Sequence, residues 1–493
     1  MNRSTEHISL AIILLAAAWL RLGNITGQGQ YFYDGVWSAG QAESYAAFCR
    51  SLLRGPDAVR DEVARTGGIW HRTVAKPTHL ALLTAGYLMF DGDWVPILVN
   101  ALFGIGTVLI VFLWGRRWRG SAAGLASAAL LACLGGHIWY SRSGLAVSSA
   151  VFFLTAGAYL LFGDRRRYLG GLLLGLGFTS HYFILPNIAA LLVLLRLRRW
   201  TLKSLLLSAM GVLTPVLLWQ GFYLLRNAAG GVPLDSYLGE LREQIFGSSA
   251  ARPAGMLWQP AFMLRWLLLS SGPVSVLLLA VGAAAGLAAA RRGKEEDWVF
   301  VLFGPGMLVV WVFASLRYVP VARPTGAILP FLCLLAGAGW ARLLERFPVS
   351  RHALPAALLL LCLPHAARYT RCVCPQMAAA VRLGSGSGEG IVNDSAVLEY
   401  YLRHSSWKRY PLREAEASPE RADMAVVDYA MPGNPDVWPD WLQKARARGP
   451  VMSFDYAPLD PGLLFLETGR DADFRDLGER GSYARSVAVY RVQ

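Results

Sequence analysis

Two carboxylates, Asp34 and Glu43, stand among aromatics in YFYDGVWSAGQAESY, residues 31–45. A carboxylate held beside apolar rings can take a proton from a hydroxyl, and a well-placed general base contributes about 10²- to 10⁴-fold to a rate. Four cations are expected near the outer ends of apolar segments: Lys76 in KPTHLALL, Arg142 in HIWYSRSG, and Arg317 and Arg323 in SLRYVPVARP. Guanidinium and ammonium groups bind phosphate through charge-assisted hydrogen bonds. One acid with several such cations could hold a phosphate group and activate a hydroxyl beside it. A single cation of this kind also snorkels to lipid headgroups and anchors a helix end, so the grouping matters more than any one residue.

The elements that must position these residues are membrane spans. The chain of 493 residues is 55% hydrophobic and 16% charged, with mean hydropathy +0.38, too apolar for a soluble globule. A net charge of +14 would suit nucleic acid. The basic residues, however, cluster between apolar segments, as cytoplasmic loops do under the positive-inside rule, and no nucleic-acid partner is expected. The clusters are Arg116, Arg117 and Arg119; Arg165 to Arg167; Arg196, Arg198, Arg199 and Lys203; Arg291, Arg292 and Lys294; and Arg342, Arg346 and Arg351. If all face the cytoplasm, the crossings between neighbouring clusters must be even in number. Spans are expected at 8–23, 95–114, 121–138, 144–162, 168–182, 184–197, 204–224, 268–290, 298–316, 325–342 and 353–368, about 11 crossings with the N-terminus inside. The first segment lacks a small-residue cleavage site and reads as a retained span.

This topology predicts an α-helical polytopic membrane domain over 1–369, with extracytoplasmic excursions at 24–94 and 225–267, and an extracytoplasmic domain over 370–493. Within the first excursion, Thr78 to Phe90 is too short to span and is expected to lie along the outer interface. Within the second, the amphipathic SYLGELREQIFGSS, Ser236 to Ser249, could form a mobile cover, with Glu240 and Glu243 on its polar face. The tail carries strand-like runs at 390–393, 424–429, 451–454, 463–466 and 486–492 and helical patterns at 395–403 and 438–446, which predicts a small α/β fold. GSGSGEG, Gly384 to Gly390, precedes a strand and reads as a linker, not a dinucleotide loop. The six cysteines show neither a disulfide framework nor a zinc module. His71, His79, His137 and His181 are expected near the outer face, without metal-ligand spacing.

The run from Lys76 to Phe162 resembles glycosyltransferase family 39 and its GT-C relatives, which include protein O-mannosyltransferases and the lipid A aminoarabinose transferase. These enzymes carry a Lys-Pro-Pro opening, an apolar interface helix, a span ending in basic residues and a Ser-Arg turn, in that order. GLGFTSHYFILP and LRYVPVARPTGAILPFLCLLAGAG are similar to two later elements of the family, so the resemblance covers residues 1 to about 370.

The resemblance implies transfer of a sugar from a polyprenyl-phosphate donor to an acceptor, protein, lipid or glycan, at the outer face of the plasma or inner membrane, with inversion. It implies that Asp34 activates the acceptor, directly or through a divalent cation, and that Lys76, Arg142 and Arg317 surround the donor phosphate. Glu43, His79, His181, Tyr318 and Arg323 are candidates to line the site. The sequence departs from the family pattern in three places: Gly35 stands where a second acid is usual, no acid follows SRSGLAVSS, and His181 replaces a lysine. These departures weaken the case for a metal and leave Asp34 as a single base. The rival reading is a non-catalytic polytopic protein, either a lipid or glycan transporter or a scaffold with a degenerate site. Transporters commonly place charges near the midplane of repeated, broken helices. Here the ionisable residues gather at the outer ends of the spans, and the halves do not repeat.

Overall fold

The computed structural model describes residues 3–31, 33–66, 76–164, 166–197, 200–230, 238–239, 242, 258–290, 300–307, 309–310, 322–345, 350–384, 390–393, 395–403, 407–410, 422–428, 440–455 and 486–492. Residues 298–299, 308 and 311–316 of the span expected at 298–316, all but residues 238, 239 and 242 of the cover helix at 236–249, the strand at 463–466, and Phe32, Trp70, His71, Arg317 and Tyr318 lie outside the described residues.

The first excursion is largely helical. After α1 (Arg3–Leu22) and the turn Ile25–Gln28, the chain forms α2 (Tyr33–Arg54) and α3 (Pro56–Thr66). The periodicity of this segment had not announced α2. The expected interface helix is present as α4 (Pro77–Met89), which starts at Pro77. Proline suits the first helical position, since its φ is already helical and its missing N–H would have had no partner there. Ala42, Ala46, Leu80, Leu83, Tyr87 and Val95 pack α2 and α4 together as a small apolar cluster of their own.

The remaining helices form the apolar bundle. They are α5 (Val95–Arg119), α6 (Ser121–Cys133), α7 (Gly135–Ser141), α8 (Val147–Tyr159), α9 (Arg167–Ser180), α10 (Leu185–Leu197), α11 (Leu202–Gly230), α12 (Trp258–Ala290), α13 (Arg323–Leu343) and α14 (Ser350–Ala366). Every residue of α13 from Pro324 to Gly339 is buried, so this helix is the centre of the bundle. Glycines let its neighbours approach: a Cβ on Gly339 would lie 1.9 Å from the Gly282 carbonyl of α12. At Gly272 (φ 76°) α12 kinks, in a left-handed conformation that glycine alone adopts without strain.

Among the described residues, five helices are long and apolar enough to cross a membrane: Arg3–Gln28, Val95–Arg119, Leu202–Leu225, Met263–Ala290 and Arg323–Leu343. The pair α6 and α7, bent by 63°, makes a sixth if taken as one span. This is fewer than the eleven expected. Several of the other segments are helices of 13 to 17 residues, and at about 1.5 Å per residue they fall short of a hydrocarbon core about 30 Å thick.

The tail forms α15 (Pro375–Gly384), β1 (Gly390–Asn393), α16 (Ala396–Tyr401), β2 (Lys408–Tyr410), β3 (Met424–Asp428), α17 (Asp440–Ala447), β4 (Met452–Asp455) and β5 (Ser486–Arg491). The sheet order is β2-β1-β3-β5-β4, with β1 parallel to β2 and β3, and β5 antiparallel to β3 and β4. Four of the five expected strands are present, while β2 and α15 were not anticipated. Ile391, Leu398, Val426 and Val489 of the tail share one apolar core with the membrane bundle. All six cysteines are free.

Gly339→Ala should drive a methyl into the α12 backbone and destabilise the detergent-solubilised protein by about 1–3 kcal/mol, read as a lower apparent melting temperature. Gly221→Ala, where a Cβ meets no atom within 4 Å, should leave that temperature unchanged or slightly raised.

Candidate functional site

Three helix N-termini meet at one acid. Asp34 lies in the first turn of α2, where a carboxylate faces the positive end of the helix dipole. Lys76 is the N-cap of α4, and Arg323 is the first residue of α13. In both cases a proline and a threonine follow, giving Lys76-Pro77-Thr78 and Arg323-Pro324-Thr325. The prolines start the helices, so each cation projects from a helix beginning. Cations there are opposed by the dipole, and a shared anion removes the conflict. Arg323 Nη1 donates to Asp34 Oδ2 at 2.7 Å, and Lys76 Nζ donates to the same oxygen at 3.3 Å.

The three side chains are mostly enclosed, with Asp34 34%, Lys76 18% and Arg323 20% exposed. The Lys76 ammonium, and after it the Arg323 guanidinium, hold the Asp34 carboxyl well below the usual carboxylate range, against the opposing effect of burial. Burial in turn pulls the Lys76 ammonium down from its ordinary value, although Asp34 supports its charge. Among the described residues, two cations and one acid meet at a point where three helix dipoles also present their positive ends. Such a place suits an anion with several oxygens.

Neighbouring groups complete the site. His181, 4% exposed, follows α9 and lies within electrostatic reach of Lys76, Arg323 and Asp34. Its Nδ1 accepts from the Phe183 amide at 3.4 Å, while the buried Nε2 has no hydrogen-bond partner among the described residues. The buried Oγ1 of Thr325, two residues after Arg323, likewise has none among the described residues. His79 sits one turn beyond Lys76 in α4. Its Nε2 donates to the Gly144 carbonyl at 3.1 Å, and its Nδ1 lies 3.3 Å from the Ser149 hydroxyl. His79 therefore fastens α4 to the loop between α7 and α8.

The same loop explains Gly35. A Cβ there would meet Gln30 Oε1 at 3.3 Å and Gly144 Cα at 3.4 Å. The Gly144 backbone lies at contact distance there, so a side chain at Gly35 would have to share the space with the Gln30 amide and this loop. Asn100 of α5 secures the loop by donating to the carbonyls of Ser143 at 2.6 Å and Leu145 at 3.0 Å. A lone amide within an apolar span is a signal the sequence offered for this residue.

Other candidates lie elsewhere. Arg142 is buried, and its Nη1 donates to the last-turn carbonyls of α1, Leu20 and Arg21, both at 3.1 Å. No contact among the described residues brings it to Asp34. Glu43 faces the tail, where Arg403 Nη2 donates to it at 3.2 Å. Arg403 and Asp93 take part in this arrangement without having been anticipated, because only the fold brings them near α2. A cavity of about 460 Å³ opens between Trp118, Arg119, Arg342 and Glu345, at the far ends of α5 and α13 from this site.

Among the described residues no group of three or more His, Cys, Asp or Glu converges, and the bonded oxygen of Asp34 already faces two cations. Among the described residues Asp34 is the acid at this point and its bonded oxygen is taken by the two cations, so no step below depends on a divalent ion.

No protein-family model matches the sequence, and no curated protein matches it. Among solved structures, the chain is similar to ArnT from Cupriavidus metallidurans bound to undecaprenyl phosphate, with a TM-score of 0.61 and 14% identity over 99% of this chain and 97% of that one. It is similar to the same protein in the apo state, with a TM-score of 0.60 and 15% identity over the same shares. At this identity the likeness is one of fold, and the chain has the membrane fold of ArnT, in keeping with the GT-C resemblance read from the sequence.

Proposed function

We propose that the protein is a membrane glycosyltransferase that moves a sugar from a polyprenyl-phosphate-linked donor to an acceptor hydroxyl at the extracytoplasmic face. The observation that carries this reading is the pairing of Asp34 with Lys76 and Arg323 where three helix N-termini meet. The likeness to a structure holding undecaprenyl phosphate supports a lipid-phosphate donor. The outward orientation rests on the positive-inside rule. Arg116, Arg117 and Arg119 close α5 at the end remote from the site.

The donor phosphate binds between Lys76 and Arg323. The acceptor hydroxyl attacks the anomeric carbon, its proton passes to Asp34, the bond from that carbon to the phosphate oxygen breaks, and polyprenyl phosphate leaves with the bonding electrons. A single displacement inverts the anomeric centre. Lys76 and Arg323 offset the charge that develops on the departing phosphate.

Without a ligand, Asp34 is a poor base, because the two cations hold its carboxylate too weakly basic to draw a proton. A phosphate between those cations neutralises them and restores the proton affinity of Asp34. Donor binding thereby prepares the base, and an empty site does not deprotonate water.

Asp34→Asn should lower turnover of a polyprenyl-phosphate sugar by about 10²- to 10⁴-fold, measured with purified protein, labelled donors and membrane extract. Equal sugar transfer by the variant and the wild type would remove Asp34 from the chemistry. Lys76→Ala and Arg323→Ala should each weaken donor binding by roughly tenfold or more, the scale of a lost hydrogen bond to a charged group.

The pH dependence follows from the lowered pKa of Asp34. The base works only when ionised, and in the free enzyme it stays ionised below the ordinary aspartate value of about 3.9. The profile of kcat/KM, which reports the free enzyme, should show no acid limb down to about pH 4. The profile of kcat, which reports the donor complex, should fall near that value or above it. Coincident limbs in the two profiles would show that the phosphate does not release Asp34.

A further inference from the structure

We propose that Arg403, in the C-terminal tail, is a positioning residue that sets the distance between Asp34 and Lys76. The inference rests on Asp34 being the reacting acid and assigns the tail a part in the site that it never touches directly.

Asp34 and Lys76 are carried by different helices, α2 and α4, which lean on each other through a small apolar cluster. Arg403 ties the far parts of these two segments together. Its Nη2 donates to Glu43 Oε2 at 3.2 Å, on α2, and to Asp93 Oδ1 at 3.0 Å, just beyond α4. Glu43 lies nine residues from Asp34, about 13 Å along the helix, so a tilt at Glu43 is delivered to Asp34 by a rigid rod. One guanidinium nitrogen thus holds two acids that would repel each other in its absence, and their repulsion would splay α2 from α4.

Arg403 is itself fixed. Its guanidinium carbon lies 3.8 Å from the centre of the Tyr400 ring, and its Nη1 donates to the Tyr400 carbonyl at 2.7 Å. The Tyr400 hydroxyl donates to Asp93 at 3.0 Å. A second grip lies just ahead of Asp34. Tyr401 Oη accepts from the Gln30 amide, and the Cys374 amide donates to the Gln28 carbonyl at 2.6 Å. Gly29, at φ 74°, presses against Cys374, Met377 and Tyr401 so closely that a Cβ would lie 2.9 Å from each. Gln30 Nε2 donates to the Asp93 carbonyl at 3.3 Å, joining the two grips. The tail thereby holds the helix of Asp34 both before its start and at its middle.

The test uses the full chain in nanodiscs and compares wild type, Arg403→Ala, Arg403→Lys and Asp34→Asn. Amide exchange over residues 28–46 reads the clamp without reference to activity, and Arg403→Ala should raise it at least tenfold while exchange in α5 stays unchanged. In turnover of a polyprenyl-phosphate sugar, Arg403→Ala should lower kcat by at least tenfold with donor KM within about threefold. The acid limb of kcat/KM should move up toward that of an ordinary aspartate, because a loosened Asp34 drifts from its cations. Arg403→Lys should recover a substantial share of both signals. Unchanged exchange over 28–46 in Arg403→Ala would overturn the clamp whether or not the enzyme turns over. Raised exchange with unchanged kcat and an unmoved pH profile, in a protein that Asp34→Asn inactivates, would overturn the positioning role alone. Absence of any Asp34-dependent turnover in the wild type would instead count against the glycosyltransferase reading. If Arg403→Ala does not fold, Tyr401→Phe, which keeps the ring and removes the acceptor for the Gln30 amide, supports the clamp by raised exchange over the same residues and overturns it by unchanged exchange.

Discussion

A carboxylate shared by an ammonium and a guanidinium, at the meeting point of three helix N-termini, is the interaction on which this end of the molecule depends. Lys76 and Arg323 each occupy the end of a helix where the backbone dipole already disfavours a positive charge, and neither is well exposed to water. Asp34 resolves both conflicts at once, and its own helix benefits from the negative charge in its first turn. In the proposed reaction the same arrangement keeps Asp34 weakly basic until a phosphate engages its cations, so that donor binding and activation of the base would be one electrostatic event.

Beneath this cluster lies a frame of buried polar groups that hold backbone to backbone. Arg21 donates to the carbonyls of Ala17, Leu131 and Ala132 and meets His137 Nδ1 at 2.7 Å, while Arg142 donates to the end of α1. A guanidinium away from water is tolerated only where carbonyls take its protons. These arginines therefore lock α1, α6 and α7 in place and fix the loop on which Gly35 rests. Above the cluster, the tail grips the segment from Gln28 to Asp93. The site is thus held from below by helices and from above by the tail.

Several features were readable from residue order. Lys76-Pro77 announced a helix start, the apolar run after it was too short to span, and α4 occupies that stretch. Short strand-like runs in the tail marked β1, β3, β4 and β5, whereas the three residues of β2 carry too little pattern to be seen. Asp34 stood out because few acids lie near the spans. The choice of its cationic partners did not follow. Arg142, Arg317 and Arg323 are all arginines near the ends of apolar segments, and nothing in the local sequence separates one that caps carbonyls from one that meets a carboxylate. Arg142 lies against the end of α1, Arg323 lies against Asp34, and that difference is made by helix packing 289 residues apart in the chain.

The sequence by itself determined that the chain enters a membrane, which of its segments are apolar, and which few ionisable residues stand at their ends, because transfer of side chains out of water is a local property that each segment carries alone. Only the tertiary structure decided which of those residues meet. A charged side chain in a low-dielectric setting must find a partner, and the partner is whatever a distant helix brings within about 3 Å. That is why Arg323 and not Arg142 faces Asp34, and why Glu43 belongs to Arg403.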